Sequence, residues 1–435
     1  DYRLDARLDH WLLDEFQDTS TLQWLVMSGL IDEVVQDHEQ RRTFFYVGDV
    51  KQAIYAWRGG NAELFGHILD HYNRAKPAIK LEYSNVSYRS ARPIIDTVNR
   101  VFRNLPDKAG AGAVKQWTAA WKDHDCADGV VPATGYAAWI EQAKDASEDE
   151  DAETRRFQAA VDLVAKVDPL GKGLSAAILT RGNDEARALA EIMRARHPHL
   201  PVALEGRSQI ADNPAVSLLL NLLQWASHPS DTLARRFLQM SPMAAGHDLG
   251  ETSRLPLQIL GEVQGGGFLR TLSAWANVLQ DRVALTDYER LRIRQLLELA
   301  SAADADPVRD IDRFVDQARE ASVEDTASRR AVRIMTVHKS KGLDFDMVVL
   351  PDLQGRGGPD TGALVQWNAD RSSPEWILQY VNKTLATFDP RLSRCLEEAE
   401  TRRQYEDLCV LYVAMTRAAR ALYLLTTSPG PKSVA

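Results

Sequence analysis

"LLDEFQDTS", Leu12 to Ser20, closes a short apolar run with two adjacent carboxylates, Asp14 and Glu15. The run from His10 to Leu13 predicts a buried strand. In open α/β sheets ligands bind beyond the carboxyl ends of the strands, so this pair stands where a nucleotide would lie. One use of the pair is chemical: Asp14 as a ligand of Mg2+, direct or through water, and Glu15 as the group that positions or deprotonates an attacking water. The other is structural. An aspartate after a strand also starts a helix as its cap, and for the dipeptide alone that use is the commoner one.

Working outward, Phe44–Val47, Ile79–Tyr83, Tyr136–Ile140 and Ala176–Leu179 read as further strands. Helical patterns lie between them. Ser90 is a suitable cap for "ARPIIDTVNRVF", with Pro93 in the first turn, and Asn183 for "DEARALAEIMRAR". This alternation predicts parallel sheets with helices on both faces. From about Asn213 to Ala327 the pattern becomes leucine-rich and helical with no clear strand, as in "YERLRIRQLLELA". Strands return at "VRIMTV" and "DMVVLPDL", and a helix over "YEDLCVLYVAMTRAAR" leads into a last strand, Ala421–Leu425.

The bulk numbers set limits. A chain of 435 residues predicts two to three domains, and 45% hydrophobic with 26% charged residues is the composition of a globular protein. The longest apolar run, around Ala215 to Trp225, is shorter than the roughly 20 residues a bilayer span needs, so no membrane segment is expected. Three scattered cysteines, Cys126, Cys395 and Cys409, argue against a disulfide framework and a cysteine zinc site, and fit a reducing cytoplasm. The net charge of −9 speaks weakly against nucleic acid. Much of it sits in one acidic stretch, Glu141–Glu153, which reads as a solvated loop. The first residues, "DYRLDARLDH", carry no secretory leader and read as an internal cut.

Other segments hold chemistry-bearing residues at element ends. In "YVGDVKQAIYAWRGG", Gln52 lies just beyond a strand, where an amide can sense a terminal phosphate. Tyr55, Trp57 and Arg58 combine rings with a cation, which suits single-stranded nucleic acid; a core tryptophan on an amphipathic helix is the even alternative. "SYRSARP" puts Arg89 between a strand and a helix. "VRIMTVHKSKGLDFDMVVL" brings His338, Lys339 and Lys341 into a turn, with Gly342 permitting close backbone approach. "LYVAMTRAARALYLL" places Arg417 and Arg420 near a helix end. A lone arginine is usually solvated surface. Two at element ends in one domain are better candidates for closing on a phosphate.

In this order the segments resemble the motifs of superfamily 1 helicases of the UvrD/Rep type. "DEFQDTS" resembles motif II, "VGDVKQAIYAWRGG" motif III, "YRS" motif IV, "TVHKSKGLDFDMVVL" motif V and "LYVAMTRA" motif VI. "VGDVKQ" and the Thr-Ser ending of motif II lean toward the AddA/RecB helicase-nuclease branch. The resemblance implies RecA-like α/β folds: the rear of a first domain over 1–82, a second over 83–208 and 329–428, and a helical accessory insertion over 209–328.

It also implies ATP and Mg2+ as substrate and cofactor, and 3′→5′ movement on single-stranded DNA and single-strand/duplex junctions in repair or recombination. A second helicase-nuclease subunit is a candidate partner, and no membrane is involved. Carried over by position, Asp14 becomes the metal ligand and Glu15 the catalytic base. Gln52, Arg89 and Arg417 contact the γ-phosphate. Asp344 lies near the ribose with Gly342 beside it, and Tyr55, Trp57, Arg58, His338 and Lys339 line the DNA. The family usually has Asn where Ser87 stands, which puts the bracing of motif IV in question.

No G-x-x-x-x-G-K-[ST] occurs; "LGKGLS" (Leu170–Ser175) lacks the spacing and the hydroxyl after lysine. The family's phosphate loop precedes motif II, so it is expected upstream of Asp1. The chain alone should then hydrolyse ATP negligibly, since no backbone cradle or loop lysine holds the phosphates. Turnover at helicase-like rates with DNA present, in a steady-state phosphate-release assay, would refute this. His67 and His71 have the i, i+4 spacing of a metal pair but no third ligand, and a surface helix is the commoner reading. No carboxylate-lysine nuclease motif is recognisable before "SPGPKSVA". Two rivals remain open: a DNA-binding or partner-docking module that keeps the fold without enzymatic activity, and an RNA-directed motor, separable by comparing DNA and RNA stimulation.

Overall fold

In a computed structural model of the chain, the described residues are 8–37, 41–74, 76–106, 109–127, 129, 132, 134–142, 152–205, 207–324, 331–352, 363–368, 373–379 and 383–427. The middle of the acidic stretch (143–151) and the final "SPGPKSVA" fall outside them. The structure forms two compact units, Asp1–Val202 with Arg329–Ala435, and Ala203–Ser328. Among the described residues no helix is long and apolar enough to cross a membrane.

The first unit is an α/β structure. Its main sheet has six strands in the order Tyr136–Gln142, Ala418–Thr427, Phe345–Leu350, Ala176–Thr180, Val332–Thr336, Val202–Leu204. Successive pairs run parallel, with Val349 opposite both Ile178 and Tyr423. Both faces are covered, so Ala176–Thr180 is buried at every position, which is why it reads as a nearly continuous apolar run. One face packs Ala177, Leu179, Met335, Val348 and Leu422 against Ile94, Val98 and Phe102 of the helix Arg92–Arg103 and Val413 of the helix Pro390–Met415.

A second, two-stranded parallel sheet pairs His10–Leu13 with Thr43–Tyr46. It buries Phe16 against Trp24, Tyr46 and Phe65, ring centroids 5.0–6.2 Å away. Ser20 opens the helix Thr21–Val35 with a reciprocal capping box to Gln23. Gly48 must be glycine: a Cβ there would lie 2.2 Å from Gln17 Oε1 and 3.1 Å from Phe16 N.

Several local expectations are corrected. Ile79–Tyr83 is not a strand; at its start the Asn73 amide takes the Ile79 backbone, accepting from Ala78 N and Ile79 N and donating to Ile79 O (2.8–2.9 Å). Ser90 does not cap its helix; Ala91 does, and the Ser90 hydroxyl donates to Ala418 O (2.6 Å). Asn183 is the first residue of its helix, not the cap. Gly182 is the cap, and its N–H donates to Glu185 Oε2 (3.2 Å). The helix expected to run through Arg420 stops at Met415, and the last strand begins at Ala418, so Arg420 lies in the sheet. His338 and Lys339 sit in a one-turn helix, Val337–Ser340.

The second unit packs five helices, Pro214–Ser227, Thr232–Gln239, Leu255–Gln280, Asp287–Ala303 and Ile311–Glu320, around Leu219, Leu223, Phe268, Leu272, Leu296 and Val315. Four of the five are capped by side chains: Asn213, Asp231, Thr286 and Asp310 each accept from backbone N–H at the first turn. Contrary to the strand-free expectation, Ser322–Glu324 pairs antiparallel with Arg207–Gln209. The helix Leu255–Gln280 is broken at Gly267 (φ 87°), and the Asp304 carboxylate accepts from Phe268 N and Leu269 N (2.7 and 2.9 Å) to start its second half.

Candidate nucleotide and nucleic acid site

The carboxylate pair leaves the end of its strand on a sharp turn. Glu15 is in the left-handed region (φ 50°, ψ 39°), and its N–H donates to Asp14 Oδ1 (2.7 Å). Asp14 and Glu15 are exposed, while Phe16 and Gln17 are buried directly behind them. Gln17 ties the two sequence segments together: its Nε2 donates to Glu15 Oε2 (2.5 Å), and its Oε1 accepts from Asp49 N (3.0 Å). Asp49 in turn accepts from Lys51 Nζ (2.6 Å) and Gln52 Nε2 (3.1 Å). Burial opposes the charge on Asp49, but Lys51 and these hydrogen bonds outweigh it and hold its pKa below the usual value.

Gln52 is where the far end of the chain arrives. Its Oε1 faces Arg417 Nη2 at 3.5 Å. Arg417 is 2% exposed and fixed by donating to Val413 O (3.1 Å), Leu343 O (3.3 Å) and Thr416 Oγ1 (3.2 Å). Burial, then the charge of Arg89, pushes its pKa down to about 10; it also feels Glu15 and Asp344. It stays a cation at neutral pH. Arg89 Nη1 points to Thr416 O (3.4 Å). Ser87 does brace this bend, its hydroxyl accepting from Arg89 N (3.3 Å) and Ser90 N (3.2 Å).

Lys341 and Asp18 carried no role in the motif reading. Lys341 is 5% exposed at its side chain and bridges the segments: Nζ lies 2.7 Å from Asp18 Oδ2, 2.8 Å from Gln52 O and 3.5 Å from Glu15 Oε2. Burial, with the nearby Glu15 charge, raises the Asp18 pKa against the opposing pull of Lys341. In sequence, Lys341 differs from its neighbour Lys339 only by position in the turn, and a lysine carries no mark of the direction it takes. Lys339 Nζ reaches Asn183 Oδ1 (3.0 Å).

Gly342 has φ 80°, with nothing within 4 Å of a Cβ built on it. The glycine is therefore demanded by the handedness of the turn rather than by crowding from the protein. Asp344, two residues on, is exposed.

The aromatic residues form one group. Tyr55, Trp57 and His338 have ring centroids 6.0–6.4 Å apart, and the Tyr55 hydroxyl donates to His338 O (2.9 Å). Arg58 lies over Trp57 (4.6 Å) and Tyr55 (5.5 Å). Trp57 is 64% exposed, so it is not a core tryptophan. The Gly59–Gly60 turn fastens this group to the first motif through a Ser20–Gly60 bridge and Asn61 N to Thr19 O (3.0 Å).

Among the described residues no group of three or more His, Cys, Asp or Glu could hold a metal, so His67 and His71 gain no third ligand. An open carboxylate such as Asp14 nevertheless fits Mg2+, which is bound through one or two carboxylates and otherwise by water and substrate phosphates.

Two histidines predict a pH dependence. Burial depresses the pKa of His338, helped by Arg181 and Arg58 and opposed by a hydrogen bond with the Ile54 backbone; burial and then Lys51 depress that of His124. A depressed histidine pKa gives stability that is complete above the unfolded value of 6.5 and is lost as pH falls through the folded one. The urea midpoint of the first unit should therefore drop between about pH 7.5 and 5.5, and His338→Gln should flatten the slope. An unchanged midpoint would mean that neither ring is held neutral by the fold.

The sequence has counterparts in known proteins. Residues 2–73 match the UvrD/REP helicase N-terminal domain and residues 268–429 the UvrD-like helicase C-terminal domain. The chain is therefore built from UvrD/REP superfamily 1 helicase domains. It is similar over 97% of its length to an ATP-dependent helicase/nuclease subunit of Leuconostoc mesenteroides and its namesake in Anoxybacillus flavithermus, each at 25% identity, and to the exonuclease/helicase subunit RexA of Lactococcus lactis at 24%. It spans only 38%, 40% and 41% of these relatives. Proteins of this family generally use ATP and Mg2+.

Proposed function

We propose that this chain is part of an ATP-dependent helicase that moves 3′→5′ along single-stranded DNA in repair or recombination. The observation that carries the reading is the approach of Arg417 to Gln52, with Arg89 and Glu15 close enough to influence Arg417 electrostatically. Residues from positions 15 to 417 converge on one polar centre, as a triphosphate clamped between two sheet-based lobes requires. In this reading residues 1–82 are the rear of a first RecA-like domain, 83–208 and 329–428 a second, and 209–328 an accessory insertion.

Gln52, Arg89 and Arg417 contact the γ-phosphate, where fixed positive charge stabilises charge developing in the transition state. Glu15 orients the water, Asp14 holds Mg2+ with the phosphates, and Asp344 with Gly342 lies by the sugar. The metal supplies charge neutralisation at the phosphates. The sequence holds no G-x-x-x-x-G-K-[ST] loop, so the isolated chain is inactive as an ATPase in this reading. Its relatives are named as subunits of a helicase/nuclease and of an exonuclease/helicase, which makes a second polypeptide of such an assembly the natural partner.

Tyr55, Trp57, Arg58, His338 and Lys339 form the DNA side. Stacking on an aromatic contributes roughly 1–3 kcal/mol per base, so Trp57→Ala should weaken binding of an oligo-dT by about 5- to 150-fold. Fluorescence anisotropy at one fixed salt concentration reads this directly, since salt alone moves such affinities by orders of magnitude. Equal affinity of the variant and the parent chain would take Trp57 off the DNA path.

A further inference from the structure

We propose that Gln17 is a positioning residue: it ties down one carboxylate oxygen of Glu15 and leaves the other to meet the attacking water. Gln17 is 1% exposed, whereas Glu15, two residues earlier, is exposed. The Gln17 amide is used at both ends. Its Nε2 donates to Glu15 Oε2 (2.5 Å), and its Oε1 accepts from Asp49 N (3.0 Å). Lys341 Nζ approaches the same Glu15 oxygen at 3.5 Å. Among the described residues no hydrogen bond reaches Glu15 Oε1.

The amide can lie only one way round. A backbone N–H only donates, so the group facing Asp49 N must be the carbonyl oxygen, and the NH2 is left for Glu15. A flipped amide would set donor against donor at Asp49 and carbonyl oxygen against carboxylate at Glu15, leaving buried groups unpaired. Nor is there room for it to turn aside, since a Cβ at Gly48 would already lie 2.2 Å from Gln17 Oε1. The Glu15 side chain is 51% exposed, and without these donors it would rotate in water and present either oxygen. Held by one face, it presents the other. Asp49 stands behind both groups that reach toward the phosphate end: its carboxylate accepts from Gln52 Nε2 (3.1 Å), and its N–H orients the Gln17 amide. The water-directing oxygen and the phosphate-facing amide therefore share one frame.

This rests on the helicase reading, in which Glu15 orients the water, and the experiment separates the two. In the 435-residue chain labelled with 15N-glutamine, without nucleotide, Glu15→Ala should move the side-chain NH2 signals of Gln17, which are assigned by their loss in Gln17→Met. Because Glu15 is exposed, this variant tests the contact without disturbing the core. In a helicase that carries this chain with an intact phosphate-binding loop, Gln17→Glu keeps an acceptor for Asp49 N but turns the donor toward Glu15 into a carboxylate oxygen. It should lower kcat for ATP about a hundredfold, the lower end of what a positioned base contributes, and leave KM nearly unchanged. Combined with Glu15→Ala it should cost nothing further, because it acts through that side chain alone. Unmoved Gln17 signals, a folded Gln17→Glu enzyme at the parent rate, or a further loss in the double variant would each overturn the proposal. Parent-like turnover in Glu15→Ala would instead refute the role of Glu15 itself, and the proposal with it, whatever the labelled chain shows.

Discussion

Arg417→Ala, in a helicase that carries this chain with an intact phosphate-binding loop, is expected to cut DNA-stimulated ATP turnover about a thousandfold, the lower end of what an arginine contributes to phosphoryl transfer. The side chain is preorganised. Two backbone carbonyls and the Thr416 hydroxyl fix the guanidinium before any substrate arrives, so little reorganisation is left for the reaction. Arg417→Lys keeps a charge but loses the planar fork, and should recover only part of the rate. The loss should fall on kcat, because a contact made with developing charge acts in the transition state. Circular dichroism controls for folding, since Arg417 is buried. A folded Arg417→Ala enzyme within tenfold of the parent would deprive Arg417 of its proposed role.

Lys341→Met should destabilise the first unit by about 3 kcal/mol, as expected when one partner is taken from a largely buried ion pair. Methionine fills much of the space but leaves Asp18 with a carboxylate that burial already disfavours, and strips the Gln52 carbonyl of its donor. Adding Asp18→Asn removes the stranded charge, so the double variant should regain at least half of the loss. Urea unfolding followed by tryptophan fluorescence measures both steps. If the double variant were no more stable than Lys341→Met alone, the stranded charge could not be the cause.

The main-sheet strands were legible because a parallel sheet covered on both faces leaves nearly continuous apolar runs, as in Ala176–Thr180 and Met347–Leu350. The second unit was legible only as a leucine-rich helical region; its caps Asn213, Asp231, Thr286 and Asp310 act within one turn of themselves, yet their residue types are as common in loops. What failed depended on distant partners. Ile79–Tyr83 has the composition of a strand, yet Asn73 claims the backbone of its first residue. Ser90 has the right chemistry for a cap, yet a carbonyl 328 positions away claims its hydroxyl. In the site, the motif residues were visible as charged or aromatic groups at element ends. The pairing of Lys341 with Asp18 was not visible, because the importance of each lies in the other, 323 positions off.

The turn at Glu15 has one more implication. A non-glycine residue held in the left-handed region costs on the order of 1 kcal/mol, so the loop would relax if it could. It is kept from doing so by Phe16, whose ring is locked among three others immediately downstream. The aromatic nest works as a mooring: slackening it, even far from any phosphate, would let the neighbouring acidic side chain swing out of aim.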